Sequence, residues 1–206
     1  MKTKDYIILL LLFLTVLTGC TKEKTTYYKN GVKSSEISYL RGKPVGEATF
    51  WHPNGKLMQK TQYENGKVIG TLKRWHGNGK IELEEKYIDD LRNGLSTTYN
   101  VDGAKMIEIH YTHDTMDGEY IEYHLNGMKK IHGFYKMGLF EGKWTWHDHD
   151  GVVLGSAEFK DGDGIQQAWR RDGTLLSEIE YKKNLKRGFE RHYDEKGNLD
   201  KSTHNQ

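Results

Sequence analysis

The 206-residue chain is expected to be all-β, an elongated antiparallel meander of tandem hairpin repeats of about 24 residues. Three observations point there: a glycine that returns at a fixed interval, alternation of apolar and polar residues between turns, and two regular columns of aromatic rings. The glycines are Gly31, Gly55, Gly79, Gly103, Gly127, Gly151, Gly173 and Gly197, and six of the seven steps are 24 residues and one is 22. Self-similarity of this period marks a supersecondary unit stacked on copies of itself, so function belongs to a surface rather than to a pocket.

The first element of each unit is a turn. Asn30, Asn54, Asn78, Asp102, Asn126, Asp150, Asp172 and Lys196 stand immediately before the eight glycines. Asn-Gly and Asp-Gly suit the two positive-φ positions of a type I′ turn, which predicts a two-residue hairpin loop here. A strand follows. After Gly79 one face carries Ile81, Leu83 and Tyr87 and the other Glu82, Glu84 and Lys86, the period of two that a half-buried strand requires. The strand ends on the first ring column, Tyr39, Tyr63, Tyr87, Tyr111, Tyr135, Phe159 and Tyr181.

A second turn comes three residues later at Gly42, Gly66, Asp90, Asp114, Gly138, Gly162 and Asn184, all types that tolerate the left-handed region. It is expected to be the longer of the two turns and to close on Gly46, Gly70, Gly94, Gly118, Gly142, Gly164 and Gly188. The next strand carries the second ring column, Trp51, Trp75, Tyr99, Tyr123, Trp169 and Tyr193. His147 takes that place in one unit, where Trp144 and Trp146 fall on the other face; the unit after it is two residues short, so a local bulge or kink is expected there. Helices are excluded by the punctuation, since each of the 23 glycines would cost about 1 kcal/mol in a helix interior. The array should hold about 15 strands and extend on the order of 70 Å.

Residues 1–19 concern address. Lys2 and Lys4 precede an apolar run from Tyr6 to Leu14, and Leu17-Thr18-Gly19-Cys20 follows, with the only cysteine of the chain in last place. This tetrad resembles the lipobox of bacterial lipoproteins, which implies removal of residues 1–19 and lipid attachment at Cys20. The expected organisation is thus a signal peptide over 1–19, a lipidated cysteine and short polar spacer over 20–26, repeats over 27–199 and a polar tail over 200–206. The resemblance implies a lipid-anchored protein of the bacterial cell envelope, with Thr21 after the cysteine favouring the outer membrane, and a body facing periplasm or exterior.

Composition bounds the partners. Formal charge is +2, and +1 without residues 1–19, so no basic surplus exists to bind nucleic acid through phosphates. A single cysteine excludes a disulfide framework. His52, His76 and His124 share one column at a two-strand spacing of about 9 to 10 Å, too wide to share a zinc ion, and read as turn residues of the repeat. The run His147-Asp148-His149-Asp150 reads as a solvated turn rather than a metal site. No hydrolase elbow, phosphate-binding loop or zinc-protease motif occurs, so neither a catalytic residue, a cofactor nor a metal ligand is assigned.

The segments Tyr63 to Gly70 (YENGKVIG) and Gly70 to Gly79 (GTLKRWHGNG) resemble the MORN repeat variant found in tandem in bacterial proteins, many of them labelled antitoxin components of toxin-antitoxin systems. The resemblance runs over residues 27–199 and implies a non-catalytic, membrane-associated scaffold with a protein partner. An antitoxin-like binder of a toxin protein is one alternative. Another is a cell-wall module that stacks sugars on the ring column Trp51, Trp75, Tyr99, Tyr123, Trp169 and Tyr193, the candidate binding face, if those rings are exposed; the opposing possibility is that they fill the array's own core.

Overall fold

A computed structural model describes residues 20–205, so the expected signal peptide over 1–19 lies outside the described residues. They form no helix and sixteen strands in one open sheet whose spatial order is the order of the chain, every pair antiparallel. The strands are β1 (Lys22–Tyr27), β2 (Lys33–Leu40), β3 (Lys43–Trp51), β4 (Leu57–Glu64), β5 (Lys67–Trp75), β6 (Ile81–Ile88), β7 (Leu91–Tyr99) and β8 (Lys105–Thr112). The second half continues with β9 (Thr115–Tyr123), β10 (Lys129–Lys136), β11 (Leu139–His147), β12 (Val153–Lys160), β13 (Asp163–Trp169), β14 (Leu175–Lys182), β15 (Leu185–Tyr193) and β16 (Leu199–Asn205). The two segments expected to flank the repeats as spacer and polar tail contribute strands of their own. The spacer after Cys20 is β1, paired with β2, and the polar tail is β16, paired with β15.

The two turn types are the reverse of those expected. At each repeat glycine the turn is a three-residue loop: Gly31 N–H donates to Tyr28 C=O at 3.0 Å and Tyr28 N–H to Val32 C=O at 2.8 Å, and the same pair of bonds recurs at the other seven glycines. Those glycines have φ between 80° and 93° while the residue before each is not in the left-handed region, which is a type I turn followed by a G1 bulge. The preceding residue serves differently. Asn54 accepts the Lys56 N–H at 3.1 Å through its side-chain oxygen, as Asn30, Asn78, Asn126 and Asp172 do in their turns.

The two-residue type I′ turns lie at the other edge. Arg41, Asn65, Asp89, His113, Met137, Asp161 and Lys183 have φ between 49° and 51°, each followed by a second positive-φ residue. Gly46, Gly70 and their equivalents do not close these turns; they lie inside β3, β5 and so on, each except Gly164 at a bulge in the pairing with the preceding strand. Gly188 has φ of 94°, a backbone conformation that side chains rarely adopt, and a Cβ there would also displace the Glu180 carboxylate.

The short unit also differs from expectation. Pairing of β12 with β13 has no register shift, whereas the six equivalent hairpins are all bulged. The two missing residues are the bulge itself, so the deletion straightens this hairpin. Its short second-turn edge is bridged by Asn184, which accepts the Phe140 N–H and donates to the Gly138 C=O, both at 2.8 Å and three strands away. The sheet is drawn in toward one face at this point.

Cross-strand partners assign the faces. Gly142, Trp144 and Trp146 pair with Phe159, Ala157 and Gly155, and these with Gly164, Gln166 and Ala168, so they share a first face with the Tyr39 column. Trp51, Trp75, Tyr99, Tyr123, Trp169 and Tyr193 occupy the second face. The two columns therefore lie on opposite faces and do not interleave. Buried apolar residues are few for a chain of this size, chiefly Ala48, Leu83, Ile121, Trp144, Ala157 and Phe159. The accessible surface is 13781 Å²; a compact monomer of 23.9 kDa would expose about 9,900 Å². Stability must come mainly from neighbours on adjacent strands, each pair contributing about 0.2 to 1 kcal/mol.

Candidate functional site

The second-face rings are all half-buried, at a repeat of about 9.6 Å along the sheet. The hydroxyls of the three tyrosines among them are committed. Tyr99 donates its hydroxyl to Glu84 at 3.3 Å, Tyr193 to Glu178 at 2.7 Å, and Tyr123 to Glu108. Burial, and then the hydrogen bond to Glu108, push the Tyr123 hydroxyl well up from its ordinary range. Burial also pushes the Glu108 carboxyl up, but the bonds from Lys105 and Tyr123 outweigh it and hold the group below the usual carboxylate value. Bonds from Gln167 and Tyr193 do the same for Glu178. Cations cover part of the column: the Lys33 ammonium stands 5.2 Å from the Trp51 ring and Lys105 5.7 Å from Tyr123.

Histidines of the turn column fasten one repeat to the next. His52 donates its Nε2–H to the Trp75 carbonyl at 2.7 Å, His76 to Tyr99 at 3.0 Å and His124 to His147 at 2.9 Å. Tyr28 and Arg170 do this in their units, reaching the Trp51 and Tyr193 carbonyls at 2.7 Å. The turn asparagines add a second row, with Asn54 donating to Gly77 C=O at 2.8 Å and Asn78 to Val101 C=O at 2.7 Å. In the His147 to Asp150 run, Asp148 accepts the Asp150 and Val152 N–H groups at 2.9 Å, and Arg171 pairs with both carboxylates. Among the described residues no three His, Cys, Asp or Glu side chains are grouped to hold a metal ion.

The densest aromatic grouping is on the first face and was not singled out by the repeat pattern. Trp144 is 3% exposed, stacked on Tyr120 with ring centroids 5.7 Å apart and set edge-on to Tyr135 at 5.1 Å. Phe140 lies 4.7 Å from Trp144 and 6.3 Å from Tyr181, three strands away, so the rings converge where Asn184 draws the edge together. Gly133 makes room: a Cβ there would fall 2.1 Å from the Trp144 indole, which also donates to Phe134 C=O at 3.0 Å. Rings from these strands line an open hollow of about 260 Å³, with the Gln166 amide among them. Its signal in the sequence is departure from the repeat. Tyr120 and Trp144 stand where other units carry Ala48, Leu72 and Ser96, and Gly133 where they carry Ile37, Thr61 and Ile109.

Cys20 is exposed and lies two residues before β1, at the type I′ turn edge. Among the described residues no helix is long and apolar enough to cross a membrane.

No curated protein matches the chain. A family model, the MORN repeat variant, matches residues 44–65 and 116–137. Each match spans one whole hairpin, β3 with β4 and β9 with β10, so this chain carries the MORN repeat variant at these two places within an array of the same hairpins.

Proposed function

We propose that the protein is a lipid-anchored, non-catalytic scaffold of the bacterial cell envelope that recruits a protein partner along its sheet. The observation that carries this reading is the single-layer sheet itself: among the described residues, sixteen strands in one open sheet offer two long surfaces. MORN repeats generally serve as protein or membrane interaction modules, which agrees with that surface. The first-face hollow around Trp144 is the strongest anchor point, because aromatic side chains dominate the energetics of interfaces. Cys20 supports attachment to a membrane, the outer one favoured by Thr21.

The test has two arms. Cys20→Ser is expected to move the chain from the membrane to the soluble fraction, and an unchanged distribution contradicts the anchor. Gentle detergent extraction of the tagged wild-type chain is expected to bring down one envelope protein that is lost with Trp146→Ala. Recovery of the chain alone, under conditions that keep other envelope complexes intact, contradicts the scaffold.

Glycan binding on the second face is a further reading, favoured by the regular spacing of the half-buried rings. With the hydroxyls of Tyr99, Tyr123 and Tyr193 held by carboxylates, the faces of Trp51, Trp75 and Trp169 would bear the contact. Tryptophan fluorescence should then respond to cell-wall fragments and lose the response in Trp75→Ala. No response to any fragment removes this reading.

A further inference from the structure

The short unit opens a hollow on the second face that other repeats close. Thr145, Ser156, Gln167, Glu178 and Arg191 stand directly opposite one another from β11 to β15, and Lys143, Glu158, Ile165 and Glu180 do so from β11 to β14. The second of these rows exists because the β12–β13 hairpin has no bulge. In the β6–β7 hairpin Lys86, at the place of Glu158, falls in the bulge and has no partner opposite. Lys143, Ser156, Glu158, Ile165, Gln167 and Glu178 border an open hollow of about 550 Å³. Three repeats earlier the places of Thr145 and Ser156 hold the ion pair of Lys73 with Glu84 at 2.7 Å, and the hollow there is about 250 Å³. Two short hydroxyl side chains in place of that pair leave the floor open. Trp169 stands on the same face two residues beyond Gln167, and Tyr193, two strands further, reaches back to Glu178.

We propose that this hollow seats a short stretch of an extended, uncharged β-1,4-linked glycan lying across the strands. The inference rests on the reading of the second face as a glycan surface and names the place and the linkage. Charge favours a neutral occupant, since Lys143 and Arg191 balance Glu158 and Glu178, and Arg191 already pairs with Glu178 at 3.6 Å. The Ser156 hydroxyl, the Gln167 amide and the Lys143 and Glu158 side chains offer donors and acceptors side by side, as the alternating hydroxyls of a sugar require. Spacing selects the linkage. Polar residues recur at about 4.8 Å along each row and the rings at about 9.6 Å, in step with one sugar per strand and one ring per disaccharide of an extended β-1,4 chain. A peptide laid along the rows rises about 3.3 Å per residue and falls out of step. Trp169 and Tyr193 present ring faces for the apolar faces of alternate sugars, and exposed Ile165 lines the other side.

The test titrates the full chain, held in detergent micelles, with chitotetraose and follows the indole N–H resonances of its five tryptophans, assigned by single substitution. The Trp169 resonance is expected to shift with sugar concentration while those of Trp51 and Trp75 stay in place. Ser156→Glu, which restores the carboxylate found at Glu84 and Glu108, should abolish the shift. Ser156→Gln, of equal bulk and no charge, should do the same, which separates filling of the hollow from added charge; unchanged resonances of the other four indoles show that either variant is folded. Maltotetraose, whose α-1,4 linkage coils the chain, should shift Trp169 several-fold less at equal concentration. A Trp169 shift that survives both substitutions, or an equal response to maltotetraose, overturns the proposal. Shifts confined to Trp51 and Trp75 overturn the hollow and leave the glycan reading of the column standing. No shift of any indole with chitotetraose or with cell-wall fragments removes both.

Discussion

Gly133 and Trp144 show how one residue without a side chain shapes the centre of the array. The indole occupies the space above the Gly133 backbone, so Gly133→Ala should destabilise the protein by about 1 to 3 kcal/mol, read from the midpoint of chemical unfolding. An unchanged midpoint would mean that the ring moves aside freely. The second-face carboxylates make a different statement at the same scale. Glu108 and Glu178 are held below their ordinary value of 4.5 in the folded chain, so each contributes stability that is fully present above that value and is lost as pH falls from it through the lower folded value. Tyr123→Phe removes one of the bonds that depress Glu108. The acid branch of its stability profile, measured from neutral pH to below 4.5, should therefore be shallower than that of the wild type. Parallel profiles would contradict the assignment.

Among the elements, the turns decide how repeats join. Asn54 bonds the next turn through its amide N–H, and Asp102, Asp150 and Asp172 have no such donor at the equivalent place. Asn54→Asp should weaken the array by about 1 kcal/mol, measured by thermal unfolding, since a carboxylate would face the Gly77 carbonyl. Asn184→Ala leaves the Phe140 N–H and Gly138 C=O without their partner and should cost about 1 to 3 kcal/mol. A loss of that size, larger than for alanine at Asn65 in an ordinary repeat, would confirm that Asn184 holds the short unit. These elements also mark what was legible in advance. The period, the strands and the opposite facing of Trp144 and His147 follow from spacing and alternation. The turn types did not, because Asn-Gly fits both a two-residue loop and the end of a three-residue one, and only pairing reveals where the strands stop. The straight hairpin of β12 and β13 was misread for a related reason: a two-residue deletion looks like a defect until the bulge it removes is seen in every other unit. Among the candidate sites, the second-face column was legible as a period and the Trp144 hollow was not, since it arises where the period breaks.

Across the whole molecule, stability is a sum over hairpins and their interfaces, so the array should open locally rather than all at once. The hairpins nearest Trp144 should show the slowest amide exchange, with protection falling toward β1 and β16, where apolar packing is thinnest. The same thinness makes the two faces available to partners. That availability depends on the sheet staying a single open layer, and the shape of the molecule in solution tests it most directly. Small-angle scattering of the monodisperse chain should give a radius of gyration above about 20 Å and a longest dimension near 70 Å, as expected for sixteen strands at a spacing of about 4.8 Å. A radius near 17 Å, that of a compact globule of this length, would contradict it.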